Sequence, residues 1–285
     1  MSATPIQAPG RAGSALFQHP GVAWPSLGLL LLLWGLLLGQ LAWFPADPLA
    51  LLDHPSGWAR LLAHMAIGAL ALNLSFTVWH DAVHGLVFRP RWANDLVGWL
   101  GAFPAFIPWF TIRRGHLLHH AHTNHPELDP DHWFLGGSLW SLPLRYPEGI
   151  RRTRRLVEAG GQPAAERWAD RGQLLLALLA AVGLAYWVHP LAVLFGWFLP
   201  KGIAMWIHAW YVNVLPHRGL PPQRFLDTRI LDLPWLAPLF LMHQYHGLHH
   251  AWAGVPWYRY RRAFLAKQDD LIRRGAPIQR GFTGP

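Results

Sequence analysis

Residues 58–84 read WARLLAHMAIGALALNLSFTVWHDAVH. From Trp58 to Trp79 the run is predominantly apolar, and a bilayer crossing needs about 20 such residues in a helix. It ends directly on His80, and His84 follows four positions later. Residues i and i+4 share a helix face. The stretch therefore predicts a membrane span whose last turn presents two imidazoles in one direction.

The rest of the chain repeats this pattern. Leu27–Phe44 is a span bracketed by Pro25 and Pro45, and its WFPADP flank fits a retained anchor better than a cleaved signal. Gln173–Val188 and Leu191–Trp210 form a helical hairpin around His189 and Pro190. Leu96–Phe110 is broken by Pro104 and Pro108 and is expected to be interfacial or re-entrant. Leu231–Met242 is too short to cross and should lie along the interface. The expected fold is an all-α integral membrane protein with about four transmembrane helices and a cytosolic helical cap. Residues 1–24, rich in Pro, Gly and Ala, are expected to be a loose tail, with residues 25–285 forming one domain.

Composition agrees. The chain has 285 residues, 52% apolar and only 14% charged, with a net charge of +9. Low charge and positive mean hydropathy argue against a disordered or nucleic-acid-binding polymer. The basic excess has a topological reading. The Ala46–Ser56 loop lacks Lys and Arg, whereas residues 89–171 hold 11 Arg and residues 211–285 hold 10 Lys or Arg. The positive-inside rule then places both polar regions and both termini in the cytoplasm, the membrane being a bacterial inner membrane. The Arg151–Arg155 run is expected either against anionic headgroups or as a solvated positive-inside loop.

The chain has 18 His and no Cys, which excludes thiolate metal sites and disulfides. Eight His lie between His80 and His132 and four between His243 and His250. Three clusters have helical spacing: His80/His84, His116/His119/His120 and His246/His249/His250. Asn213-Val-Leu-Pro-His217 adds a ninth candidate ligand. Nine imidazoles exceed one tetrahedral zinc. They suit two ions of higher coordination number with open positions, and redox-active ions that bind O2 point to iron.

Asp81, Asp129 and Asp131 are candidates to accept the free ring N–H of a ligating His; capping or loop solvation is their alternative. Glu127 follows the second cluster as well. Asn213 is expected to reach a metal through water or to cap a helix. His122, His125, His132 and His243 are candidates for a supporting or substrate role, and His208 is left open. His19, His54, His64 and His189 are expected to lie away from the site. Lys201, inside a span after Pro200, carries no assigned role.

These motifs resemble the membrane fatty acid desaturase and hydroxylase superfamily, whose pattern is HxxxH, HxxHH, a lone His in NxxxH, and a final HxxHH. All four occur here in order, from about His80 to Phe264. The likeness is greatest to cyanobacterial-type β-carotene hydroxylases, carried by HHAHTNHPELDPDHW (residues 119–133), NVLPHRGL (213–220) and QYHGLHHAWAGVPWYRYRRAF (244–264). The final-box pattern of carotenoid ketolases is not matched, because Val255-Pro256-Trp257-Tyr258 departs from it. The resemblance implies a four-helix domain with two irons on nine His. It implies an oxygenase that uses O2 as co-substrate on a lipophilic substrate, most closely the ring of β-carotene. Lacking a nucleotide fingerprint, the chain would draw electrons from an external, ferredoxin-like donor. The alternatives are an acyl-lipid desaturase and, from another class, a His-rich metal transporter, which would place its ligands near the bilayer midplane. A zinc protease is disfavoured because Asp81 stands where HExxH has Glu.

Overall fold

The computed structural model describes residues 15–45 and 47–281. Among the described residues four helices are long and apolar enough to cross a membrane: α1 (Trp24–Ala42), α2 (Pro55–Val83), α6 (Ala164–Trp187) and α7 (Pro190–His217). Between α2 and α6 lie α3 (Arg91–Ala102), α4 (Trp109–His122) and α5 (Leu142–Ala159), and after α7 come α8 (His246–Ala251) and α9 (Tyr260–Arg273). The strands β1 (Ile230–Leu231) and β2 (Ile278–Gln279) form a two-residue parallel pair in the C-terminal cap. The expected all-α membrane fold with about four spans is the one observed. Large apolar side chains such as Leu31, Leu38, Leu175 and Leu179 face outward on α1 and α6, as required where lipid is the solvent.

Helix α2 has 29 residues. At 1.5 Å per residue it is about 44 Å long, well beyond the ~30 Å hydrocarbon core. The surplus leaves room for its histidine-bearing end to stand outside the apolar layer.

The Leu96–Phe110 stretch is not a straight span. α3 continues into a 3-10 turn at Phe103–Ala105. Phe106 then takes a left-handed backbone (φ 54°), and α4 leaves at 102° to the preceding helix. The two prolines and this one left-handed residue make the bend. Gly98 lets α4 fold back closely, since a Cβ there would meet the Trp109 ring at 2.0 Å.

Helix α6 starts nine residues earlier than its apolar run, with Glu166 and Asp170 on its polar first turns. α7 extends past Trp210 to His217 and contains two π-helical segments, Leu194–Phe198 and Ala209–Val214. Gln40 of α1 donates to the Gly196 carbonyl in the first of them (2.6 Å). Such a buried bond holds helices together in lipid.

Of the expected N-terminal tail, residues 1–14 lie outside the described residues. Residues 15–23 are packed rather than loose. Phe17 meets the Trp252 ring edge-on, and Val22 pairs with Phe88.

Candidate metal centre

Helix α4 carries three of the nine histidines, and its neighbours fix its start. The first N–H groups of a helix have no partner within it. Here Asp170 of α6 accepts from Phe110 N (2.8 Å), Thr111 N (2.9 Å) and the Thr111 hydroxyl (2.8 Å). Gln173 accepts from Trp109 N (2.9 Å). Arg113 bridges Asp95 of α3 and Glu166 of α6, and Arg114 also binds Glu166. The polar first turns of a spanning helix thus anchor the histidine-bearing one.

The nine histidines converge in two groups. One holds His80, His84, His116, His120 and His249; the other holds His119, His217, His246 and His250. In each group one ring nitrogen per residue lies within 4.8 Å of all the others. Each three-histidine box is divided. α4 sends the i, i+4 pair His116/His120 to the first group and His119 to the second. α8 does the reverse, sending His249 to the first and His246/His250 to the second. The boxes do not each point in one direction, as their spacing alone suggested.

Four of the outer ring nitrogens are held by other residues. His119 Nδ1 meets Asp129 (2.9 Å), whose carboxylate also accepts from Asn124 N and Asp131 N. His249 Nδ1 meets the Tyr260 hydroxyl at 3.0 Å, and His250 Nδ1 the Thr123 hydroxyl at 3.2 Å. His217 Nδ1 meets the Asp227 carbonyl at 3.2 Å. The inner nitrogens face one another. His116 Nε2 lies 3.0 Å from Nε2 of both His84 and His120, and His249 Nε2 lies 2.9 Å from His120 Nε2.

Asp129 occupies the position expected of it beside a histidine. Asp131 reaches only ion-pair distance from His119, 4.0 Å. Asp81 differs from expectation: its carboxylate accepts from the Ser26 hydroxyl (2.7 Å) and Trp257 N (3.4 Å), not from an imidazole. It follows His80 directly, and adjacent residues on a helix do not face the same way. Asn213 lines a small void with His119 and His217.

His243 is buried against His80, with Nε2 on the Thr77 hydroxyl (3.0 Å). His208 packs on Phe76 and Tyr211. His125 caps its own turn. His19 binds the Gly85 carbonyl, His64 packs on Trp43 and Phe44, and His189 caps α7. His54 precedes α2. None of these, nor His122 or His132, belongs to either group. Thr123, Asp227 and Tyr260 escaped the sequence reading because nothing in their spacing marks them as neighbours of a histidine.

Burial disfavours charge on these imidazoles. It depresses His84 to about 3, with Arg91 adding repulsion. His246, His249 and His250 are likewise held well below the usual histidine range by burial, then by mutual repulsion. Burial pushes Asp131 up to about 6, and the charge of Asp129 acts in the same direction.

The nine residues fit metal ions. A neutral imidazole has one donor and one acceptor nitrogen, so protons cannot satisfy every member of a close array of Nε2 atoms, least of all at His249 and His250, whose Nδ1 atoms are already engaged. Both ring nitrogens of His80, Nε2 of His217 and Nδ1 of His246 are buried without a hydrogen-bond partner. Unpaired buried polar atoms are rare and costly, and a cation in each group would engage the inward-facing ones.

A cavity of about 700 Å³ reaches the centre. Its wall is mostly apolar, including Leu72, Phe76, Trp79, Ile112, Phe134 and Val212, and it touches His116, His119 and His246. Arg154, Arg167 and Arg171 line another part.

Fold and site together define a helical membrane protein with two histidine groups that could hold metal ions beside an apolar cavity. A family model described as fatty acid desaturase matches residues 55–282. The chain is 36% identical over 251 residues to sn-1 oleoyl-lipid 12-desaturase of Arthrospira platensis, covering 72% of this chain and 67% of that protein. It is 32% identical over 277 residues to zeaxanthin 4-ketolase of Chlamydomonas reinhardtii, covering 87% and 53%. A third similarity, 37% over 82 residues, is to Delta(12) fatty acid desaturase fat-2 of Caenorhabditis elegans, covering 28% and 22%. The chain therefore spans about half the length of the ketolase and under a quarter of the nematode desaturase. The chain belongs to the fatty acid desaturase family.

Proposed function

We propose that this chain is a membrane oxidoreductase that uses O2 and two iron ions to hydroxylate a C–H bond of a lipophilic substrate, most closely the ring of β-carotene. The observation that carries the reading is the pair of histidine groups at the end of an apolar cavity. The first group would hold one iron through His80, His84, His116, His120 and His249, and the second the other through His119, His217, His246 and His250. Imidazole sets of five and four suit such ions better than a closed tetrahedral zinc site. When bound, two irons supply the redox capacity to activate O2 for C–H cleavage.

The residues of the chain do the rest. Asp129, Tyr260, Thr123 and the Asp227 carbonyl fix the orientation and tautomer of the imidazoles behind which they stand. Phe76, Trp79 and Ile112 present an apolar chain to the centre and keep water from it. Electrons come from an external ferredoxin-like donor that meets the Arg-bearing face. The distribution of Lys and Arg supports a bacterial inner membrane with both termini and the centre on the cytoplasmic side.

Similarity to a carotenoid ketolase over most of the chain supports a carotenoid substrate. A second reading, acyl-lipid desaturation, is favoured by the similarity to an oleoyl-lipid desaturase and by the arginines in the cavity wall. A metal transporter fits less well, because the histidines cluster at helix ends.

Expression in a host that accumulates β-carotene, followed by chromatography of pigments and acyl chains, tests the proposal. Cryptoxanthin and zeaxanthin are the expected products. Unchanged carotene with altered acyl chains replaces this reading with the second.

A further inference from the structure

Lys201 stands where a lysine is costly. It lies in α7, eleven residues past Pro190 and sixteen before His217. At 1.5 Å per residue it is at most about 24 Å along the helix from the histidine end and 16 Å from the other, well inside a span rather than at either terminus. A charge at such depth is expensive and ordinarily serves a ligand or pathway.

Its surroundings do not satisfy it. Among the described residues the ammonium has one partner, the ring of Phe106 at 4.8 Å. That contact engages the charge but fills none of its three donor positions. The three carboxylates that share the cavity wall are committed elsewhere, Glu158 to Arg154, Asp170 to the start of α4 and Asp131 beside His119 at 4.0 Å. The cavity wall holds Lys201, Phe106, Phe198 and Leu72 as well as His116, His119 and His246. Leu72 lies eight residues before His80 on α2 and Lys201 sixteen before His217 on α7, so both helices set this pair apart from their histidine-bearing ends in the same sense.

We propose that Lys201 is a specificity-determining residue that donates a hydrogen bond to an oxygen acceptor on the substrate, at the end remote from the carbon presented to the histidines. This rests on the reading of the cavity as the binding site of an elongated lipophilic substrate. The chemistry selected is a long apolar molecule with a hydroxyl or carbonyl at the end remote from the reacting position. A substrate oxidised once at one end would then bind better, turned around, than the parent hydrocarbon.

The test is binding, and it needs no turnover. Quenching of tryptophan fluorescence in the iron-free protein is titrated with β-carotene and with β-cryptoxanthin, for wild type, Lys201→Met and Lys201→Arg. Wild type should favour the hydroxylated ligand by about tenfold, the size of one hydrogen bond to a charged donor. Lys201→Met should bring the ratio to about one, and Lys201→Arg should restore part of it. The ratio is internal to each protein, so a general loss of fold cannot imitate the result. Equal binding of both ligands by wild type, or a preference kept by Lys201→Met, overturns the role of Lys201 alone. Failure of wild type to bind either ligand overturns the carotenoid reading and this assignment with it.

Discussion

His120 and His250 stack face to face, ring centroids 4.2 Å apart and planes at 17°, although they belong to different histidine groups. The stack joins α4 to α8 where the two groups meet. His120→Ala should therefore disturb both. We expect elemental analysis to give about two irons per chain for wild type and less than one for His120→Ala, with helix content and membrane insertion unchanged. One zinc and no iron in wild type would remove iron from the proposal.

Asp129 and Tyr260 hold single imidazoles from behind, one by a carboxylate and one by a hydroxyl. Replacing such partners typically lowers metal affinity by about 10–100-fold. Asp129→Asn should sit at the upper end, because its carboxylate also ties down Asn124 and Asp131. Tyr260→Phe should sit at the lower end. Competition against a chelator measures both, and equal affinity in all three proteins would deny the two residues this part.

Asp170 caps α4 from a neighbouring span. Asp170→Ala leaves Phe110 N and Thr111 N without their acceptor, at a cost of about 1–2 kcal/mol. The apparent Tm in detergent should fall, and iron content should fall with it because α4 carries His116, His119 and His120. A lower Tm with full iron content would separate the cap from the centre.

Acidification should destabilise the iron-free protein. His84, His246, His249 and His250 have folded pKa values depressed below the unfolded value near 6.5. Below pH 6.5 the unfolded chain binds more protons than the folded one, so the stability these groups contribute is present above that pH and is lost as pH falls toward about 3. Thermal melts at pH 7.5 and 5.5 should show the lower Tm at 5.5, and bound iron should leave over the same range as protons compete for the ring nitrogens.

The spans and the histidine motifs were legible because both are local, one a matter of apolar length and the other of spacing along one helix. The bend before α4 was legible from Pro104 and Pro108. The division of each box between two groups was not, since it depends on how α4 and α8 meet. The same limit hid Thr123 and Tyr260, which reach their histidines across 127 and 11 positions. Asp81 was misread for the opposite reason: it is adjacent to a histidine in sequence yet is engaged by α1.

That engagement bears on where the functional unit begins. The family match starts at residue 55, beyond α1. Yet Ser26 of α1 donates to Asp81, Trp257 Nε1 donates in turn to Ser26 (3.2 Å), and Gln40 grips α7. A chain trimmed to the matched region would leave a buried carboxylate beside His80 without its hydroxyl donor and would strip a helix from the bundle. The first span thus belongs to the same folded unit as the histidine groups, and a protein shortened to residues 55–282 should be a poor vehicle for recovering the proposed activity.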